Sequence, residues 1–204
     1  MAPLTDRFPR GLPVAVFIAA AAGLFIGWKL FWFLTDDAYI AFRYVSNSLA
    51  GHGYVWNAPP FRPVEGYTSF LWVLLLDVVW RVFKTPPPAA ANWMSLFFTW
   101  LNLALIAAIV YQLSWPGRLK NFKALFLALC FVFVLTNRSF LAWSSSGLET
   151  ALFCSLITAW IYSCLYASPE RRLLLVSFSA SLLTLTRPDG LLFVAASFVL
   201  FAAA

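Results

Sequence analysis

Charge is scarce in this sequence. Of its 204 residues only 11% are Asp, Glu, Lys or Arg. A soluble domain carries about 25%, so a water-soluble globular enzyme is excluded. Histidine occurs once, at His52, and cysteine three times, at Cys130, Cys154 and Cys164. All three cysteines lie inside apolar runs, with no metal spacing and no disulfide framework. Cys154 and Cys164 sit on one expected helix, about 15 Å apart by helical rise, too far to pair. Acids are outnumbered by bases, eight to fourteen, for a net charge of +6. The bases fill short turns between apolar runs, as Arg118, Lys120 and Lys123 and as Arg171 and Arg172. That pattern is a topology signal and not a phosphate-binding stripe, so nucleic acid is excluded as a partner.

Apolar residues dominate instead. They make up 62% of the chain, and mean hydropathy is +0.82. Phe occurs 21 times and Trp 10 times, an aromatic share that suits two lipid–water interfaces. The expected fold is all-α: a polytopic integral membrane protein forming one transmembrane domain over 1–204. The first apolar run is too long for a signal-peptide core and has no small-residue cleavage site, so it is expected to stay as an anchor.

Six spans are expected, over 11–34, 89–113, 124–136, 148–167, 173–186 and 190–204. Parity decides the count. If 69–83 crossed the membrane, both later basic turns would fall outside, against the positive-inside tendency. That run is short and carries Asp77 midway. It is therefore expected at the interface, within an outer loop of juxtamembrane helices over 35–84. The N-terminus, with Arg7 and Arg10, then faces the cytoplasm. The polar stretches 35–68, 137–149 and 186–190 share the outer face.

Those stretches hold the candidate site residues. Asp36 and Asp37 are adjacent carboxylates at a membrane boundary. Their repulsion suits one of them to take up a proton as a general base; the pair also offers oxygen ligands to a divalent cation, though without a complete ligand set. They equally suit the first turn of a helix capped by Thr35 or Asp36. Phe42, Val45 and Leu49 recur at helical spacing opposite Arg43 and Asn47, which fits a helix on the membrane surface. Arg43 is a candidate phosphate contact or a headgroup anchor. His52 stands between two glycines in a turn, and Glu65 and Tyr67 suit either a sugar or a helix cap. Glu149 opens the fourth span, and Arg187 begins an Arg-Pro-Asp-Gly turn where it can clamp a phosphate or anchor the turn. Asn137-Arg138-Ser139 fits a glycosylation sequon.

Taken together, Asp36-Asp37-Ala38-Tyr39-Ile40-Ala41-Phe42-Arg43-Tyr44, Gly51-His52-Gly53-Tyr54-Val55-Trp56-Asn57, Val64-Glu65-Gly66-Tyr67-Thr68-Ser69-Phe70-Leu71-Trp72, Gly147-Leu148-Glu149-Thr150 and Arg187-Pro188-Asp189-Gly190 form a series. It resembles the GT-C superfamily of membrane glycosyltransferases, and within it the bacterial branch of terminal β-(1→2) arabinofuranosyltransferases and their relatives. The resemblance implies a GT-C-like helix bundle in a bacterial plasma membrane with its site outside. It implies transfer of a sugar, arabinofuranose or another, from a polyprenyl-phosphate donor to a glycan or lipid acceptor. Asp36 or Asp37 would be the base; Arg43, His52, Glu65, Tyr67, Glu149 and Arg187 would bind substrate. Family members continue through more spans, so a truncated half needing a C-terminal partner is an alternative form. Such a half would be a non-catalytic subunit that binds or assembles lipid-linked sugars.

Overall fold

The computed structural model describes residues 11–64 and 66–202. All regular structure among them is helical. Leu12–Leu30 form α1, whose Pro13 occupies the first turn, where a missing N–H costs nothing. The chain then runs extended to Thr35. Asp36–Leu49 form α2 and Phe70–Phe83 form α3. After a tight turn through Lys84, the long α4 covers Pro87–Gln112. A 3-10 turn over Gly117–Phe122 carries the first basic cluster into α5, Lys123–Thr136. Arg138–Trp143 form the short α6 and Thr150–Tyr166 form α7. Pro169–Thr186 form α8, and the Pro188–Gly190 turn leads into α9, Leu191–Ala202.

Three helical stretches are long and apolar enough to cross a membrane: Leu12–Leu30, Pro87–Gln112 and Gly117–Thr136. Thr150–Tyr166 and Pro188–Ala202 are shorter apolar helices. The outward faces carry large apolar side chains, among them Ile18, Phe133, Phe178 and Phe198, all more than half exposed. In water such faces would aggregate; against hydrocarbon they are the expected surface. The molecule is an all-α membrane helix bundle.

The bundle is organised around α4, which packs on α7 and α1 and also touches α2, α3 and α5. Its two sides support two apolar clusters. One joins Phe42 and Val45 of α2, Trp72 and Leu76 of α3, Ala91 of α4 and Leu152 of α7. The other joins Leu24 and Trp28 of α1, Leu96 and Leu103 of α4, Leu127 and Phe131 of α5, and Leu141 of α6. Between them α4 buries a stripe of Asn92, Ser95, Thr99 and Asn102 at helical spacing. Small polar residues let apolar helices approach closely and bond across the gap. Here Thr158 of α7 donates to Asn102 Oδ1 at 2.6 Å.

One sequence expectation changes at this point. The apolar face of α2 does not lie on lipid: Ala38, Ala41, Phe42, Tyr44 and Val45 are buried in the protein, with α3 as the main neighbour. Asp77, an acid inside an apolar run, is likewise turned inward and is only 5% exposed. The Tyr54 hydroxyl donates to its Oδ2 at 2.7 Å. Arg81, one turn on, reaches both oxygens from Nε at 3.1 and 3.0 Å, the favourable order for an i,i+4 pair. Arg81 Nη2 also donates to Ser48 Oγ at 3.0 Å. One carboxylate thus ties the end of α2 and the following loop to α3. Burial, then the bond to Asp77 and its charge, push the Tyr54 phenol up to about 12, so it stays a donor at neutral pH.

Replacing Asp77 with Ala leaves the Tyr54 hydroxyl without its acceptor. Arg81 is half exposed and loses less, since water screens its charge. The expected cost is about 1.5–3 kcal/mol, the worth of hydrogen bonds to a charged group. Unfolding in detergent should register this loss, together with faster proteolysis within 50–68. Unchanged stability and cleavage would show that the network holds nothing.

Candidate functional site

Ser144, Ser145, Ser146 and Gly147 connect α6 to α7 and are all buried. Backbone that leaves a helix inside an apolar bundle must find partners there, and this segment finds them on four helices or their ends. The Thr35 N–H donates to Ser146 O at 3.1 Å. Ser145 Oγ donates to Phe31 O at 2.7 Å. Trp72 of α3 donates from Nε1 to Gly147 O at 3.1 Å. The Asn92 amide of α4, oriented by its neighbours, donates to Ser145 O at 2.8 Å and accepts from Trp32 Nε1. Gly147 has φ +83, and a Cβ there would stand 2.6 Å from Leu34 Cδ2 and 3.2 Å from the Ala38 Cβ. A side chain at Gly147 would push on the first turn of α2.

That first turn carries Asp36 and Asp37, both exposed. Thr35 is the N-cap residue, and α2 begins at Asp36 itself. The acids therefore complement the helix dipole, as their position in the sequence allowed. Asp36 Oδ1 accepts from Thr35 Oγ1 at 3.0 Å and from the Asp37 N–H at 3.1 Å. Asp37 has no such engagement among the described residues, which leaves its carboxylate open to an incoming group. No set of three or more His, Cys, Asp or Glu side chains gathers to hold a metal ion among those residues.

Glu149 stands just ahead of α7 as its N-cap residue, one position outside the helix. Its side chain is mostly buried, and Arg187 Nη1 lies 3.6 Å from its Oε1. Arg187 Nε lies 3.5 Å from Asp189 Oδ2, and the guanidinium sits 5.6 Å from the Phe153 ring centroid. Both ion-pair distances exceed hydrogen-bond length. Arg187 donates no side-chain hydrogen bond among the described residues, so its N–H groups are unspent.

The remaining sequence candidates separate. Arg43 donates from Nε to Trp56 O at 2.8 Å and lies 4.4 Å from the Trp56 ring centroid, so part of it is committed to holding the loop. Tyr67 is half-buried in an aromatic group, 4.5 Å from Tyr44 and 6.5 Å from Tyr54 between centroids. His52 is exposed, and its N–H closes the turn on Asn47 O at 3.0 Å. Glu65, like Arg7 and Arg10, lies outside the described residues. Asn137 of the sequon caps α6, accepting from the Phe140 N–H at 3.0 Å.

Asn92, Trp32 and the three serines escaped sequence reasoning, because small polar residues in apolar surroundings carry no chemical motif. The Asp77–Arg81 spacing was a usable signal; Tyr54 and Ser48 as partners were not.

Comparison with known proteins gives one relationship. The chain is 38% identical over 95 residues to the Terminal beta-(1->2)-arabinofuranosyltransferase of Corynebacterium glutamicum, a match over 45% of this chain and 13% of that protein. The chain thus matches only a small part of that relative's length. No family model matches, and no solved structure matches.

One outcome follows from this geometry. Gly147→Ala should cost about 1–3 kcal/mol, from the left-handed backbone alone, with the Leu34 clash added. A thermal unfolding series in detergent reads it, and a neutral result would mean the segment is not held at Gly147.

Proposed function

We propose that the chain is the part of a GT-C-type membrane glycosyltransferase that carries its acid-bearing first outer loop. It transfers a sugar from a polyprenyl-phosphate donor to a glycan or lipid acceptor. The observation that carries this reading is the shared end of the bundle. There the segment 144–147 holds the start of α2, with Asp36 and Asp37, and leads directly into Glu149 and its partner Arg187. The similarity to an arabinofuranosyltransferase supports the reaction class, and arabinofuranose is the first sugar to try.

Each group has a chemical task. The acceptor oxygen forms a bond to the anomeric carbon, and the bond from that carbon to the phosphate oxygen breaks. The phosphate leaves with the electron pair, and the hydroxyl proton passes to a carboxylate. Asp37, whose oxygens accept no hydrogen bond from the described residues, is the proposed base. Asp36 is held by Thr35 and the Asp37 N–H and orients the pair. Charge develops on the departing phosphate, and the unspent N–H groups of Arg187 suit it. Glu149 holds Arg187 in place before the phosphate arrives. The site would face the outer side of a bacterial plasma membrane, with 35–84 as the outer loop and the N-terminus cytoplasmic.

The same half-fold in a non-catalytic role would bind lipid-linked sugar without transferring it, and one assay separates the two. Membranes carrying this chain, given labelled polyprenyl-phosphate-arabinose and an oligosaccharide acceptor, should yield transfer. Asp37→Asn should lower the rate by about 10²–10⁴, the usual worth of a positioned base. Arg187→Ala should lower it by about 10²–10³. Full activity in Asp37→Asn would remove the base assignment. Absence of transfer with several polyprenyl-linked sugars, from a correctly inserted chain, would leave the binding role.

A further inference from the structure

A groove separates α2 from the end of α3 and the proline turn that opens α4. It has a volume of about 530 Å³, within the roughly 300–1,000 Å³ of small-ligand sites. Tyr39, Arg43, Ser46 and Asn47 line one wall, with Trp80 and the Pro86–Pro88 turn opposite. Tyr39 is 51% exposed, although its ring is fixed edge-on to Phe42 at 5.2 Å. An exposed aromatic held in place costs little further entropy to stack on.

The polar groups of this groove keep unspent capacity. Arg43 uses Nε on Trp56 O, and its two terminal nitrogens donate nothing among the described residues. Asn47 donates both its bonds from Nδ2, to Val55 O at 2.7 Å and Trp56 O at 3.1 Å, which leaves Oδ1 free to accept. The Ser46 hydroxyl donates to Phe42 O at 2.9 Å and keeps its acceptor lone pairs. Aromatic faces for the flat side of a ring, beside donors and acceptors for its edge hydroxyls, are what a sugar requires. A lipid chain would leave those polar groups unmatched.

Position links the groove to the proposed chemistry. Asp36, Tyr39, Arg43 and Asn47 follow one another at helical spacing along one face of α2. From these observations we infer that the groove binds the glycan acceptor. Its sugar rings stack on Tyr39 and Trp80, with the chain directed along α2 toward the acids at its start. This inference rests on the glycosyltransferase reading and adds to it where the acceptor lies.

Binding without donor tests it apart from transfer. The full chain in detergent micelles is titrated with a free arabinofuranosyl oligosaccharide, followed by saturation-transfer NMR and by tryptophan fluorescence. The wild type should bind. Tyr39→Ala should weaken binding about tenfold, near 1.4 kcal/mol, and Tyr39→Phe should restore it. Ser46→Trp, which fills the groove from an exposed position, should abolish it. Equal binding by Tyr39→Ala and Ser46→Trp, each shown folded by circular dichroism, would overturn the inference. So would failure of the folded wild type to bind, or displacement of the oligosaccharide by nothing but polyprenyl phosphate. An inactive chain that still binds in a Tyr39-dependent way would sink the transferase reading and leave the groove assignment standing.

Discussion

Backbone that leaves a helix inside an apolar bundle has to find its hydrogen bonds within the protein. At one end of this bundle two non-helical segments meet: the extended residues 32–35 after α1, and the buried turn 144–147 after α6. Each answers the other, through Thr35 on Ser146 O and Ser145 on Phe31 O. Trp72 of α3 and Asn92 of α4 donate to the carbonyls of Gly147 and Ser145. The first turn of α2 and the N-cap of α7 are therefore placed by the same few bonds. Had these bonds been absent, Asp36, Asp37 and Glu149 would have had no fixed relation to one another.

The polar residues at this end of the bundle form one closed group and one loose pair. Asp77, Tyr54, Arg81 and Ser48 form a closed group, with a buried acid matched by donors on every side. Arg187 and Glu149 are different. Their charges are close, yet no hydrogen bond aligns them, and one partner is buried while the other is partly exposed. A matched network rigidifies, whereas a loose pair can exchange one partner for an incoming anion. The first therefore serves as scaffold for the α2–α3 hairpin, and the second is the one the proposed function assigns to chemistry.

Much of this was legible in the sequence. The long apolar runs and the scarcity of charge imply a helical membrane bundle, and the structure has one. The Arg-Pro-Asp-Gly and Gly-Leu-Glu-Thr motifs, forty residues apart, were placed on one face by counting runs, and Arg187 does meet Glu149. What stayed hidden depends on partners that no local pattern names. Asp77 stood out as an acid in an apolar run, but Tyr54, twenty-three residues earlier, gives no sign that it will fold back onto it. Arg43 read as a phosphate contact or a headgroup anchor, and Trp56 takes part of it. The apolar face of α2 looked like a membrane-surface stripe, since periodicity shows that a face is apolar but not what covers it.

In the proposed function the acids of α2, the turn at His52 and the Arg187–Asp189 turn all stand on one face of the membrane, opposite the basic turns. Single cysteines at Asp37, His52 and Asp189, and at Lys120 and Arg171, test it directly once Cys130, Cys154 and Cys164 are replaced. Labelling of intact cells with an impermeant maleimide should mark the first three positions and spare the last two until the membrane is opened. Labelling of position 189 together with 171, and apart from 37, would contradict the account.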